Sequence, residues 1–252
     1  MIFILSVFII SSIAFYLFKK KKTIHKIPLN THDILSKKVL FYKKLNGEEQ
    51  TNFRNQIEIF INRVSIEPVD FELIDLDILL VASSAIIPIF RFNGWFYPNI
   101  KTVIIYPDYF NKDLEFNSKS KDKNIGGLVG NGRFKNNMIL SRKALYHGFS
   151  NKTDKGNTGI HEFVHLLDKL DGNIDGIPKA LLNNKNILPW LDLIHDKIEA
   201  INNDKSDIRN YGGTSKEEFF AVASEYFFER PLLLQRKHPD LYKMLYDCFI
   251  EN

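Results

Sequence analysis

A chain of 252 residues is long enough for one large domain with a substantial core. Its composition, 44% hydrophobic and 25% charged, is typical of a globular protein and excludes fibrous and fully disordered chains. The single cysteine, Cys248, excludes a disulfide framework and a cysteine-based zinc cluster.

The first eighteen residues, MIFILSVFIISSIAFYLF, carry no charge and are followed by four lysines at 19–22. A helix of this length measures about 27 Å, near the lower limit for crossing a bilayer core. Because the positive charge follows the apolar run, a retained anchor is favoured over a cleaved signal peptide or a buried core helix. We therefore predict a transmembrane anchor with its basic flank at residues 1–22 and one globular domain at residues 23–252. The positive-inside rule predicts a single-pass protein whose domain faces the cytoplasm.

Basic charge is concentrated next to this segment. Residues 1–45 contain nine lysines and one acid, Asp33, whereas the whole chain has a net charge of only +4. The rest of the chain is therefore acidic on balance, which argues for a juxtamembrane basic segment and against a nucleic-acid partner.

The N-terminal half of the domain is predicted to be helical before it forms strands. Apolar residues recur at helical spacing over 33–45 and 48–64, with Asn46-Gly47 as a break. Residues 75–87 predict a buried helix that ends at Pro88. The β-branched run at 100–107 predicts a buried strand, and residues 111–124 an exposed loop.

The glycine-rich stretch 126–141 predicts a strand-turn-strand hairpin, because no Gly-Lys-Ser/Thr follows that would indicate a phosphate loop. Its second strand, 137–141, lies shortly before the stretch HEFVH at 161–165, which matches the H-E-x-x-H pattern of zinc peptidases. Such enzymes often bind the substrate backbone along a strand in that position.

The C-terminal half is again predicted to be mainly helical. Asn157 and Thr158 are cap-type residues that predict a helix to about Leu170, stopped by Asp171-Gly172. A surface loop is predicted over 173–189. Three further helices are expected at about 190–202, 215–229 and 239–250. Helices, a small sheet and helices again predict an α+β fold that is mainly helical.

The stretch HEFVH places His161 and His165 four residues apart, so both rings project from one helix face one turn apart. In the pattern H-E-x-x-H such a pair can hold zinc while the glutamate, here Glu162, acts on a bound water. Catalytic zinc normally takes three protein ligands. The extended pattern with a third histidine is excluded, because Asp168 and Asp171 stand at the required glycine and histidine positions.

The third ligand is expected in RNYGGTSKEEFFAVASEYFFERP, residues 209–231. Glu218 and Glu225 are seven residues apart and share a helix face, whereas Glu217 points elsewhere and suits the helix dipole. A carboxylate on an apolar face needs a charged partner. From the residues alone, Glu218 and Glu225 are both candidates.

Two blocks of the sequence carry a resemblance to a known family. GIHEFVHLLDKLDGNIDGIP and YGGTSKEEFFAVASEYFFERP together resemble the Mlc titration factor A (MtfA) family of zinc peptidases. YGGTSKEEFFA is also similar to the catalytic domain of anthrax lethal factor. Both are gluzincins, in which two histidines and one glutamate hold zinc. The resemblance covers about residues 30–250 and implies a zincin-like metalloprotease domain with one Zn²⁺ per chain.

Carried over to this sequence, the resemblance implies that His161, His165 and Glu218 bind zinc and that Glu162 is the general base. Tyr211, seven residues before Glu218, would donate its hydroxyl group to the oxyanion of the tetrahedral intermediate.

Glu225 and Asp168 are predicted to orient a histidine through its other ring nitrogen, although Asp168 also fits an ordinary helix-face carboxylate. Two functional hypotheses follow. The first is a membrane-anchored zinc metallopeptidase, either aminopeptidase or endopeptidase, with peptide or protein substrates. The second is a zinc-containing binding protein that docks a transcriptional regulator with little peptidase activity. A protein that keeps such an enzyme's fold but has lost its activity commonly loses the general base, so the presence of Glu162 favours the enzyme.

Overall fold

The computed structural model describes residues 25–251 except 93, 117–120, 131 and 152. Ten α-helices lie in these ranges: α1 (Thr31–Lys38), α2 (Leu40–Lys44), α3 (Gly47–Arg63), α4 (Asp75–Ile89), α5 (Arg142–Ser150), α6 (Thr158–Asp168), α7 (Ile187–Asn202), α8 (Lys216–Glu229), α9 (Pro231–Lys237) and α10 (Pro239–Phe249). The same ranges contain four strands: β1 (Ser65–Pro68), β2 (Thr102–Tyr106), β3 (Gly127–Val129) and β4 (Asn137–Ser141).

The predicted anchor at residues 1–22 lies outside the described residues, so its boundary with a domain at 23–252 stays a prediction. Among the residues that are described, no helix has both the length and the apolar character needed to cross a bilayer.

The four strands form one mixed sheet in the order β1-β2-β4-β3. β1, β2 and β4 are parallel, with Val103 opposite both Ile66 and Met138, and β3 runs antiparallel to β4. A small sheet between groups of helices confirms the predicted α+β fold. The hairpin at 126–141 is also confirmed, but β4 is an inner strand and β3 is the edge. The expectation that residues 137–141 receive the substrate backbone is therefore wrong, because both edges of β4 are already paired.

The N-terminal helices differ from the predicted pattern at their ends. The helix expected over 33–45 is divided at Val39, whose extended backbone separates α1 from α2. Gly47 begins α3, and Asn46 caps it by accepting a hydrogen bond from Glu49 N, so this pair is a helix start. Pro88 lies inside α4, which continues to Ile89. A proline in the last turn removes only one helical donor bond, so it did not end the helix.

The site helix α6 begins and ends close to the predicted residues. Asn157 caps it by accepting from Ile160 N, and a 3-10 turn after Asp168 leads to Gly172 in the left-handed conformation. Three short elements were not predicted: β1, α5 and α9. Each is nine residues or fewer, too short for hydrophobic periodicity to distinguish it from loop.

α6 lies at the centre of the core. It packs against α8 and α4, and β3 contacts it at Glu162 through Gly127. All its residues from Gly159 to Asp168 are buried. The two helices that carry the predicted ligands are thus direct neighbours.

Candidate functional site

Three side chains that the resemblance assigned to a metal ion meet at one point. Nε2 of His161 lies 3.1 Å from Nε2 of His165, and Oε2 of Glu218 lies 3.0 Å and 3.6 Å from those two nitrogens. The histidines come from α6, whereas Glu218 comes from the first turn of α8, which Ser215 caps. Within the described part of the chain, this is the only cluster of three or more side chains with metal-ligand geometry.

The donor atoms of this cluster fit a small divalent cation. Two bonds of about 2.0 Å at a tetrahedral angle place their donor atoms about 3.3 Å apart, and the observed separations of 3.0, 3.1 and 3.6 Å bracket this value. Oε2 of Glu218 is also buried without a hydrogen-bond partner. Three lone pairs that converge in a buried place are stabilised by a cation, so the residues suit a metal ion.

The electrostatics of the cluster point the same way. Burial disfavours the charged imidazolium, but the neighbouring carboxylates of Glu218 and Glu225 outweigh this effect and raise the pKa of His161 to about 10. Burial alone would raise the pKa of Glu218, yet the imidazole rings of His161 and His165 close to it hold that pKa well below its usual range. The position between these groups therefore strongly favours positive charge, which a proton or a metal ion can supply.

Glu162 lies in the cleft beside this cluster and directly under β3. It is buried, with 6% of its surface exposed, and burial raises the pKa of its carboxyl group. Gly127 of β3 packs against it so closely that a Cβ atom there would lie 2.5 Å from Cγ of Glu162. The glycine thus makes room for this carboxylate in a cleft of about 350 Å³.

Tyr211 also lines the cleft. It lies in a 3-10 turn (Asn210–Gly213) that precedes α8. Its ring centroid is 5.9 Å from that of His161, and 53% of its surface is exposed. Partial burial and the charge of Glu218 raise the pKa of its hydroxyl group, so Tyr211 is a proton donor at neutral pH. The hydroxyl group is available to a molecule in the cleft.

Glu225 lies behind the cluster, on the face of α8 that it shares with Glu218. Its Oε1 accepts a hydrogen bond from Nδ1 of His161 at 2.8 Å, and its Oε2 accepts one from the backbone N–H of Asn157. Because this carboxylate faces Nδ1, the hydrogen lies there and Nε2 points its lone pair at the metal position. The structure thus separates the two candidates: Glu218 faces Nε2 of the histidines and Glu225 faces Nδ1.

Asp168 is also buried, but its contact is with the chain that follows. Its Oδ2 accepts a hydrogen bond from Gly176 N at 2.8 Å, and burial raises its pKa to about 6. Its Oδ1 and Nδ1 of His165 are both buried without a hydrogen-bond partner. The structure has no hydrogen bond between Asp168 and His165, so that pairing stays a prediction.

Sequence reasoning missed Arg209 and the second role of Asn157. Arg209 forms an ion pair with Oε1 of Glu225 and lines the cleft, and Asn157 joins Glu225 to Glu229 through its backbone and its side chain. A signal for Arg209 was available: a buried carboxylate needs a charged partner, and Arg209 is the first residue of the sequence block 209–231 that contains Glu225.

A histidine pair on α6, a glutamate on α8 that meets it, a second glutamate in the cleft and a tyrosine beside it form an arrangement typical of metal-dependent peptidases. Comparison with known families agrees with this class. A sequence model of the family described as glucose-regulated metallo-peptidase M90 matches residues 16–250. The chain therefore belongs to the M90 metallopeptidase family.

Individual relatives are similar over most of their length. The uncharacterized protein slr2042 of Synechocystis is 28% identical over 237 residues, covering 90% of this chain and 86% of that protein. The Mlc titration factor A of Escherichia fergusonii is 28% identical over 225 residues, covering 82% and 81%. That of Pectobacterium atrosepticum is 26% identical over 217 residues, covering 81% and 78%. The predicted resemblance to the MtfA family is confirmed.

Proposed function

We propose that the chain is a membrane-anchored, zinc-dependent metallopeptidase of the gluzincin type. The observation that carries the proposal is the convergence of His161, His165 and Glu218 on one point, with Glu162 and Tyr211 in the adjoining cleft. Membership of the M90 family supports hydrolysis of peptide bonds as the class of reaction.

His161, His165 and Glu218 would hold one Zn²⁺ per chain. Two imidazoles and a carboxylate are a common ligand set for catalytic zinc, which keeps a fourth position for water or substrate. When bound, zinc lowers the pKa of water and polarises the scissile carbonyl group. Glu225 keeps the hydrogen of His161 on Nδ1, so that the other ring nitrogen is free to coordinate.

Glu162 and Tyr211 would move protons and stabilise charge. As general base, the Glu162 carboxylate accepts a proton from the attacking water and passes it to the departing amine. Tyr211 donates a hydrogen bond to the negative charge that develops on the carbonyl oxygen. Both residues line the cleft, so both can reach a peptide bound there.

The edge strand β3 is the proposed binding strand for the substrate. One of its edges pairs with β4, and no described strand pairs with the other. Gly127 on this strand contacts Glu162, so a peptide added along β3 would bring a carbonyl group close to the general base.

A regulatory binding protein is the second candidate. Several relatives are called Mlc titration factor A, and a factor that titrates another protein fits this candidate. Glu162 and Tyr211 serve no evident purpose in docking a partner. Their position beside the ligands makes the peptidase the better-supported function.

The test uses the full chain, purified in detergent. Bound metal is measured by mass spectrometry and turnover by a panel of aminoacyl and internally quenched peptides. Glu162→Gln should retain zinc and lose about 10²–10⁴-fold in kcat, because glutamine keeps the shape of the side chain but cannot act as a general base. Glu218→Ala should lose zinc, while Glu217→Ala, one residue away on another helix face, is the matched control.

Equal turnover by Glu162→Gln and wild type would refute this mechanism. A wild-type chain that binds zinc and a protein regulator but cleaves no peptide would establish the second candidate instead.

We propose in addition that residues 1–22 anchor the chain and that the catalytic domain faces the cytoplasm. The apolar run and the lysines after it support this topology. The full chain should stay in the membrane fraction after a high-salt wash, and a variant lacking residues 1–22 should be released. Release of the full chain by salt alone would show that the attachment to the membrane is only electrostatic.

A further inference from the structure

Arg209 connects two parts of the site whose relative position matters for the proposed reaction: the turn that carries Tyr211 and the carboxylate of Glu225. Its Nη2 forms an ion pair with Oε1 of Glu225, the same atom that accepts the hydrogen bond from Nδ1 of His161. Arg209 also stands two residues before Tyr211 and lines the cleft with it. One guanidinium group therefore connects the turn that carries the tyrosine with the carboxylate that orients a metal ligand.

The charge balance around Glu225 makes this contact strong. Only 1% of the Glu225 side chain is exposed, and a buried carboxylate without a counter-charge is costly. Among the described residues, only Arg209 and His161 bring a basic group within 4 Å of it. A histidine that coordinates a metal through Nε2 is neutral, so Arg209 is then the one fully charged basic side chain at this carboxylate among the residues that the structure describes.

The turn that carries Tyr211 is held from two sides. On the side away from the cleft, Gly212 is buried against Val222, and Asn202 donates a hydrogen bond to Gly213 O at 3.2 Å. At its start, Gly212 N donates to Arg209 O at 2.9 Å. The ion pair of Arg209 with Glu225 therefore fixes the first residue of this hydrogen-bonded turn against α8.

We propose that Arg209 is a positioning residue that clamps the Tyr211 turn to Glu225 and so places the tyrosine hydroxyl group beside the metal ligands. This inference rests on the proposed function for its effect on catalysis. The clamp itself is a property of the chain and can be measured without metal or substrate.

The first measurement is hydrogen–deuterium exchange of the metal-free full chain in detergent. Arg209→Met should raise exchange in peptides that cover residues 207–214, because Gly212 N–H loses the support of a fixed turn. Peptides from α6 should keep wild-type protection. Arg209→Lys should restore part of the protection, since it keeps the charge but lacks the fork of donors. Arg91→Met, which breaks an exposed ion pair with Glu49, is the control.

The second measurement is a double-mutant cycle in kcat and KM with zinc content checked. Tyr211→Phe should cost about 10²–10³-fold in kcat, as for loss of one oxyanion donor. Arg209→Met should cost about tenfold or more in kcat with little change in KM, because misplacement by about 1 Å is expensive. In the Tyr211→Phe background the same change should cost about twofold or less, because there is no hydroxyl group left to place.

Unchanged exchange at 207–214, or the same kcat penalty in both backgrounds, would overturn the inference while leaving the peptidase proposal intact. A wild-type chain without peptidase activity would instead defeat the proposed function, and the exchange experiment alone would then decide whether the clamp exists.

Discussion

Gly127→Ala adds one methyl group in the space between β3 and the proposed general base. The new Cβ would lie 2.5 Å from Cγ, 2.6 Å from Oε1 and 2.7 Å from Cδ of Glu162. Ordinary contact between such atoms is about 3.5–4.0 Å. The carboxylate must therefore move by about 1 Å or more, or the edge strand must move away from α6.

The size of the effect depends on which property is measured. The crowded atoms belong to the outer part of a flexible side chain, so the side chain yields and stability should fall by only about 1 kcal/mol. For a chain of this size that lowers Tm by about 2–4 °C. A general base displaced by about 1 Å loses its alignment with the water, and we expect kcat to fall about 10²-fold.

The assay compares kcat, zinc content and Tm for Gly127→Ala and Gly47→Ala in the full chain. Gly47 begins α3, and a Cβ there meets no atom within 4 Å, so it is a matched change without crowding. Zinc content should be unchanged in both, because the three proposed ligands lie on α6 and α8. Wild-type kcat in Gly127→Ala would refute the reasoning that links this glycine to the position of Glu162.

Three further predictions concern stability and are checked by urea unfolding. Gly176 has φ +75° and a Cβ there would collide with backbone atoms of Lys216, so Gly176→Ala should cost about 2–4 kcal/mol; a loss below about 1 kcal/mol would contradict the clash. Arg142 Nε lies 2.7 Å from the fully buried Asp77, so Arg142→Met should cost about 3–5 kcal/mol, with partial recovery on adding Asp77→Asn. If the losses of Arg142→Met and Asp77→Asn simply add in the double variant, then Arg142→Met alone did not leave an uncompensated buried charge. Burial raises the pKa of Glu229 from 4.5 to about 7, which penalises the folded state once the group ionises. The ionisation of Glu229 should therefore lower the stability of the wild type by about 3 kcal/mol relative to Glu229→Gln as the pH rises from about 4.5 through about 7; parallel stability curves for the two proteins would contradict this.

Much of the site could be predicted because its parts lie close together in the sequence. His161, Glu162 and His165 belong to one helical turn, and helical geometry alone relates them. Glu218 and Glu225 follow the same rule on α8. The resemblance to the MtfA family assigned roles to these residues and to Tyr211. The positions found in the structure are consistent with that assignment.

Other features depend on contacts between distant parts of the chain. β1, α5 and α9 are short, and packing against neighbours rather than periodicity stabilises them. The substrate strand was misjudged because strand order depends on which strands pair across long stretches of chain. Arg209 was overlooked because its importance comes from a carboxylate sixteen residues away on another element.

The sequence by itself determined the helical period, the cap at Asn157, and the histidine pair on one face of α6, because these depend on residues within a few turns of each other. Only the tertiary structure decided that Glu218 faces Nε2 of the two histidines while Glu225 faces Nδ1 of His161, that β3 rather than β4 is an edge strand, and that Arg209 joins the tyrosine turn to Glu225. These depend on how α6 and α8 pack and how the strands are ordered. Long-range packing energy sets both, and it is not encoded in any local pattern of residues.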